Sequence, residues 1–233
     1  MNSQESIAIV GDGRVGRALT AALRVAGVRV SGPHGRGFSA TDVAPDAVLL
    51  CVPDAEIVAA AAAIAPGPLV GHCSGATHLD ALAPHEAFGL HPLMTVTRAG
   101  AQFVGAGAAV AGTTERALAL ATRLAEWLGM RPFALADEDR AAYHAGASMA
   151  SNFLVTLEEA AQRVCGIDRE LLLPLVQASV DNWATEGAAS LTGPIARGDE
   201  ATVVRHREAI AERAPDLLEL YDVLADATRA VAA

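Results

Sequence analysis

The run Gly11-Asp12-Gly13-Arg14-Val15-Gly16 constrains this chain more than any other stretch. Before it stands an apolar segment of strand length, Ile7-Ala8-Ile9-Val10, and after it Val15, Leu19, Ala22, Leu23 and Ala26 recur at helical spacing. Strand, G-x-G-x-x-G turn and helix, in that order, are what a dinucleotide site requires. The first glycine permits the tight turn, the second lets backbone approach a pyrophosphate, and the third lets the helix pack on the strand. The helix N-terminus then aims unpaired N–H groups and a positive dipole end at the phosphates. A bare motif of this kind can mark a turn and nothing more; its flanks favour cofactor binding.

A chain of 233 residues, 52% of them apolar, can bury one large core or two smaller ones, and two domains are expected. No segment reaches the length of an apolar membrane span, and the first strand starts too early for a signal peptide to precede it, so a cytoplasmic protein is expected. Cys51, Cys73 and Cys165 form no C-x-x-C pair and are odd in number, which suits reduced thiols. The net charge of −10 opposes a nucleic-acid or anionic-membrane surface. All 17 basic residues are arginine, which removes every mechanism that needs a lysine.

Gly27 ends the first helix and Val28–Ser31 reads as the second strand. A site specific for NAD usually carries Asp or Glu at the end of that strand, bonded to the ribose 2′-hydroxyl. Here Ser31-Gly32-Pro33-His34-Gly35-Arg36-Gly37 holds no acid. Ser31, His34 and Arg36 could cradle a 2′-phosphate, so NADP is preferred over NAD, with Arg36 the main contact. The alternative is a solvated glycine-rich loop.

Ala47–Val52 is a continuous apolar run, as a strand buried on both faces would be. A helix over Ala55–Ala65, capped by Asp54 and stopped by Pro66, should follow, then a strand at Leu69–His72 and a short helix over Thr77–Ala83. In a doubly wound sheet the loops after such strands lie at the ligand-binding edge. Val52, Pro53, Ser74 and Gly75 are therefore candidate neighbours of a nicotinamide, although Ser74 could equally cap its own turn. Gly89–Leu93 reads as another strand, and Ala106–Ala111 and Arg131–Ala136 as edge strands. Between those two, Thr113 or Thr114 caps a helix to about Leu128. From Asp137 onward only helices are expected, over about 139–165, 169–186, 200–213 and 215–232. The boundary between an α/β Rossmann domain and an all-helical substrate or dimerisation domain is expected near residue 136, with a cleft between the two.

His144, Ser148 and Asn152 stand four apart and would stack along one face of the long helix among small and apolar neighbours. Such a row needs partners or a wet cleft. Substrate contact is favoured over a set of satisfied core residues.

The short dinucleotide domain, Cys51-Val52-Pro53-Asp54 and the helical second half resemble the 6-phosphogluconate dehydrogenase-like superfamily, which includes β-hydroxyacid dehydrogenases, ketopantoate reductases and pyrroline-5-carboxylate reductases. More closely, His72–Ala76, Leu90–Leu93, His144 to Asn152 and Leu191–Asp199 are similar to a bacterial group of Rossmann-like oxidoreductases, a resemblance covering nearly the whole chain. In the β-hydroxyacid dehydrogenases the helix opening the second domain carries a catalytic Lys with an Asn four residues later. Asn152 carries over, with Ser148 where the lysine would stand. A reductase still needs a proton donor, and the resemblance leaves that role to His144, with His91 second. Asn152 would orient the substrate, Ser74 and Ser148 would add hydrogen bonds, and Arg197 would pair with a substrate carboxylate unless it only braces its own loop.

The histidine spacings match no metal site, so no metal is expected. The apolar stripe of the closing helix suits packing within the domain or across a homodimer. The resulting expectation is an NADP-dependent oxidoreductase that reduces a small carboxylated carbonyl or imine compound, such as the 2-oxo acid ketopantoate. A non-catalytic NAD(P)-binding sensor or assembly module is the alternative, kept open by the missing lysine.

Overall fold

The computed structural model describes residues 5–41 and 43–233. The chain folds as two compact units, Met1–Ala150 and Ser151–Ala233. The first is built on a seven-stranded sheet: β1 (Ser6–Val10), β2 (Arg29–His34), β3 (Ala47–Leu50), β4 (Leu69–His72), β5 (Ala87–Leu93), β6 (Gly107–Gly112) and β7 (Arg131–Ala134). Their order is β2-β1-β3-β4-β5-β6-β7. Every neighbouring pair is parallel except β5 and β6. β6 therefore lies inside the sheet, where an edge strand was expected, and β7 forms the edge.

The continuous apolar strands are covered on both faces, as their composition demands. Successive side chains on a strand alternate sides. Ile7, Ile9 and Leu49 accordingly face Leu19 and Leu23 of α1 (Arg14–Val25) and Leu120 and Leu124 of α3 (Glu115–Trp127). Ala8, Val48 and Leu50 face Ile57 and Ala61 of α2 (Ile57–Ala62), with Leu79 and Leu82. Each fully buried leucine or isoleucine contributes about 1.5–3 kcal/mol. Gly27, at φ +80°, turns the chain from α1 into β2, and Thr114 caps α3 by accepting from the Ala117 N–H.

Some elements differ from the sequence reading. β2 runs on to His34, three residues past the expected end, and pairs with β1 through Val10↔His34. The helix expected over Ala55–Ala65 is a 3-10 turn at Asp54–Glu56 followed by the short α2, and Asp54 does not cap it. Its carboxylate accepts a hydrogen bond from Ser74 instead. The long helix expected over about 139–165 is helical throughout but not uniform. A 3-10 turn at Asp137–Asp139 leads into α4 (Arg140–Ser148), and a π-helical turn at Met149–Phe153 joins α4 to α5 (Leu154–Cys165). The first unit extends past the expected boundary near residue 136 because α4 is pinned to it: the Arg140 side chain is buried there, only 2% exposed.

The second unit contains α5, α6 (Arg169–Glu186), α7 (Glu200–Arg213) and α8 (Leu218–Ala232). Asp199 caps α7 by accepting from the Thr202 N–H. Ion pairs Arg207–Asp222 and Arg163–Asp216 tie α7 to α8 and α5 to the turn before α8. Among the described residues no helix is long and apolar enough to cross a membrane.

Candidate functional site

The glycine turn is as tight as the motif requires. Gly11 sits at φ +111°, and a side chain there would begin 2.3 Å from the Cys51 carbonyl oxygen. One on Gly16 would begin 1.9 Å from the Gly11 carbonyl oxygen, so helix and strand meet as only glycine allows. Gly13 is different. Nothing lies within 4 Å of the position its Cβ would take, and it is the N-cap of α1 without a side-chain cap bond. The free N–H groups of the first turn of α1 thus meet open space, the cradle a pyrophosphate needs. Asp12 is drawn into a two-bond pair with Arg17, at 2.7 Å on each oxygen, which holds its carboxyl below the usual range. Arg14 is exposed at the start of α1, while Val15 packs on the core.

Beside the turn lies a cavity of about 650 Å³, lined by Gly11, Gly13, Arg36, Phe38, Val52 and Pro53 among others. The end of β2 shapes its far side. His34 stacks on Phe38, ring centroids 4.1 Å apart, and its Nε2 lies 3.0 Å from the Ser31 hydroxyl. Burial lowers the pKa of His34, which favours the neutral ring. Arg36 lines the same cavity but donates to Glu56 at 2.7 Å. The end of β2 itself holds no acid; Glu56 enters from the 3-10 turn after β3.

At the carboxyl edges of β4 and β5 the polar groups converge. Ser74 is buried, its hydroxyl donating to Asp54 at 2.7 Å and accepting from the Ala76 and Thr77 N–H groups. That bond ties the loop after β3, which carries Val52 and Pro53, to the loop after β4. His72 is fully buried; its Nδ1 accepts from the Ser74 N–H, which leaves the proton on Nε2. Among the described residues that Nε2 has no partner. Burial, with Arg140 nearby, presses the His72 pKa down to about 4. Arg140 donates to Asp137 at 2.5 Å, and Asp137 accepts from the Leu79 N–H, so the start of α4 is clamped against this edge.

α4 brings Tyr143 and His144 to the same place. The Tyr143 hydroxyl lies 2.6 Å from His91 Nδ1, and the two imidazoles of His91 and His144 stand edge-on at 6.4 Å. Gly75 separates them. A side chain there would begin 3.1 Å from His91 Nε2 and 3.1 Å from His144 Cδ2. Burial, with His144 and Arg140 nearby, lowers the His91 pKa to about 4, so the ring is neutral at pH 7. Desolvation raises Tyr143 to about 12. From sequence His144 is the first candidate proton donor and His91 the second, and the fold brings both to this edge; Tyr143 is missed, its only signal being its place one residue before His144.

Other candidates are placed less simply. Ser148 ends α4, but Asn152 lies within the π-helical turn, so four residues no longer complete a turn between them. The expected three-residue row is therefore interrupted. Such wide turns are enriched at functional sites. The Asn152 carbonyl accepts from Thr156. Arg197, in the second unit, donates to the Thr192 carbonyl of its own loop, the bracing role that was one of its two readings.

Residues 106–228 match the profile of a domain of unknown function, DUF2520. No curated protein sequence matches the chain. Among solved structures, a Bacteroides fragilis protein provisionally named as an NADP oxidoreductase shares the fold with a TM-score of 0.81 at 18% identity, covering 97% of this chain and 98% of its own. Protein TM1727 from Thermotoga maritima aligns with a TM-score of 0.77 at 26% identity, again over 97% and 98% of the two chains. An imine reductase from Streptomyces aurantiacus aligns with a TM-score of 0.65 at 14% identity, over 97% of this chain and 96% of its own. A Rossmann-like sheet followed by a helical domain is thus the shared fold across nearly the whole chain.

Proposed function

The chain belongs to the DUF2520 family, and from that premise we propose that it is an NADP-dependent oxidoreductase acting on a small carbonyl or imine compound. The observation that carries this reading is the open space at Gly13, between two glycines that admit no side chain, beside a cavity lined by Arg36. NADP fits these residues: α1 offers its first-turn N–H groups to the pyrophosphate, and Arg36 offers a guanidinium to the 2′-phosphate. The names of the Bacteroides and Streptomyces proteins support both the cofactor and the type of reaction.

When bound, the cofactor supplies a hydride. The protein's part is to hold the acceptor and give a proton to its oxygen or nitrogen. We assign the proton to His144, which is exposed beside Gly75, and assign to His91 a hydrogen bond to the same oxygen or nitrogen. Val52, Pro53 and Gly75 would border the nicotinamide. A carboxylated substrate such as the 2-oxo acid ketopantoate is the specific candidate. The reducing environment of a cytoplasm suits Cys51 and Cys73, whose thiols lie 3.6 Å apart without a bond.

A second copy of the chain is the proposed partner. α6 buries none of its residues, and Leu171, Leu175 and Trp183 are each about two-thirds exposed or more. A helix apolar on several sides is normally covered.

The test of the reaction is NADPH oxidation followed across a panel of 2-oxo acids, aldehydes and cyclic imines. Turnover of one class is expected, lowered about 100-fold or more by His144→Ala. Turnover unchanged in that variant would remove His144 from the proton step, and NADPH binding without turnover of any class would favour a sensor.

A further inference from the structure

We infer that Tyr143 is a positioning residue that fixes His91 as its Nε2–H tautomer, so that a neutral imidazole presents an N–H donor at the Gly75 edge. This inference rests on the reduction reading for its purpose, while the hydrogen bond itself stands on geometry.

Two neutral groups share one hydrogen bond here, and either could be the donor. The 2.6 Å separation makes the contact a hydrogen bond whichever group donates, and donor and acceptor strength decide between them. The phenol O–H is the better donor of the two, and the sp2 imidazole nitrogen the better acceptor. Tyr143 therefore donates, Nδ1 accepts, and the ring proton resides on Nε2. The low pKa of His91 and the high one of Tyr143 agree with this, because both groups stay neutral and the phenol keeps its proton.

The direction of the freed N–H follows from the packing. The Cε1–Nε2 edge of His91 abuts Gly75, the residue whose missing side chain leaves room between the two imidazoles. The hydrogen bond with Tyr143 engages Nδ1 and leaves the Nε2 N–H for a bound acceptor. Tyr143 is held in turn: its ring meets Phe133 edge-on at 5.9 Å and His91 edge-on at 5.5 Å. It sits on α4, three residues after the buried Arg140 that clamps the helix to this edge. A neutral imidazole N–H can polarise a carbonyl or imine without giving up its proton, as a donor aimed where negative charge develops. The opposite tautomer would turn a lone pair toward that charge and repel it.

The test is nitrogen-15 NMR of histidine-labelled protein at pH 7, with the His91 signals identified by their loss in His91→Gln. The Nε2–H tautomer is expected in the native chain, and a mixture of both tautomers in Tyr143→Phe, which keeps the ring and removes only the hydroxyl. An Nδ1–H tautomer in the native chain, or the same tautomer population in both proteins, would overturn the inference. With a turned-over substrate, Tyr143→Phe should lower kcat about tenfold while leaving NADPH affinity unchanged; an unaltered kcat would remove Tyr143 from the reaction. Failure of NADPH to bind would defeat the reduction reading and leave the tautomer result standing, so the two can fail separately.

Discussion

Arg36 donates a hydrogen bond to Glu56 across 2.7 Å at the cavity beside the glycine turn. The pair is exposed, so it adds little to stability. Its consequence is for cofactor choice, because a 2′-phosphate must compete with Glu56 for the one guanidinium. Arg36→Ala should weaken NADPH binding about tenfold, the order of one charged hydrogen bond, and leave NADH nearly unchanged. Glu56→Gln should strengthen NADPH binding. Titration of both variants with both nucleotides checks this, and equal losses for NADPH and NADH in Arg36→Ala would contradict it.

The glycines of the turn should separate folding from binding. Gly16→Ala places a carbon 1.9 Å from the Gly11 carbonyl oxygen, which is backbone and cannot yield, so a large loss of thermal stability is expected. Gly13→Ala meets only open space and costs about 1 kcal/mol or less at a helix N-cap. It should fold normally and lose nucleotide affinity, since its methyl occupies the phosphate cradle. Thermal melts with parallel titrations test the pair; a Gly13→Ala protein that binds NADPH as tightly as the native chain would rule out the cradle.

How much of this was legible in the sequence depends on whether a feature is contiguous. Gly11 to Gly16 with its strand and helix is one uninterrupted stretch and reads directly, and the cap of α3 is local enough to narrow to Thr113 or Thr114, of which Thr114 is the cap. Residues joined only by the fold do not read directly. Tyr143 meets His91 from 52 positions away, and Glu56 reaches Arg36 from 20 positions away. Asp54 looks like a helix cap until the neighbouring loop brings Ser74 to its carboxylate. Arg140 carries a charge that ordinarily belongs at the surface; its pair with Asp137 is local, but the burial that sets it against the Ser74 carbonyl comes only with the fold. The π-helical turn at Met149–Phe153 uses residues that suit an α-helix equally well, so periodicity alone extends the helix through it.

Stability should fall as the pH drops from 7 to 5. His72 and His91 are held neutral in the folded chain, with pKa values of about 4, against about 6.5 when unfolded. Arg140, Asp54 and His144 are the charged or titratable groups acting on His91 besides His72. Between pH 6.5 and 4 the unfolded chain binds more protons, so their contribution is complete above that window and is lost as the pH falls through it. A loss on the order of 2 kcal/mol for each histidine is expected at pH 5. Urea unfolding at both pH values measures it, and equal stability at pH 7 and pH 5 would contradict the burial of these rings as neutral groups.

The exposed apolar surface of α6 predicts self-association. Leu171→Glu with Leu175→Glu should convert a dimer to a folded monomer, as read by sedimentation. A native chain that sediments as a monomer would remove the second copy from the account.

The most direct measurement of the central claim is fluorescence titration of the native chain with NADPH and with NADH. Saturable binding of both is expected, with NADPH the tighter because only it carries the phosphate that Arg36 can pair with. Binding of neither nucleotide would contradict both the oxidoreductase and the sensor readings.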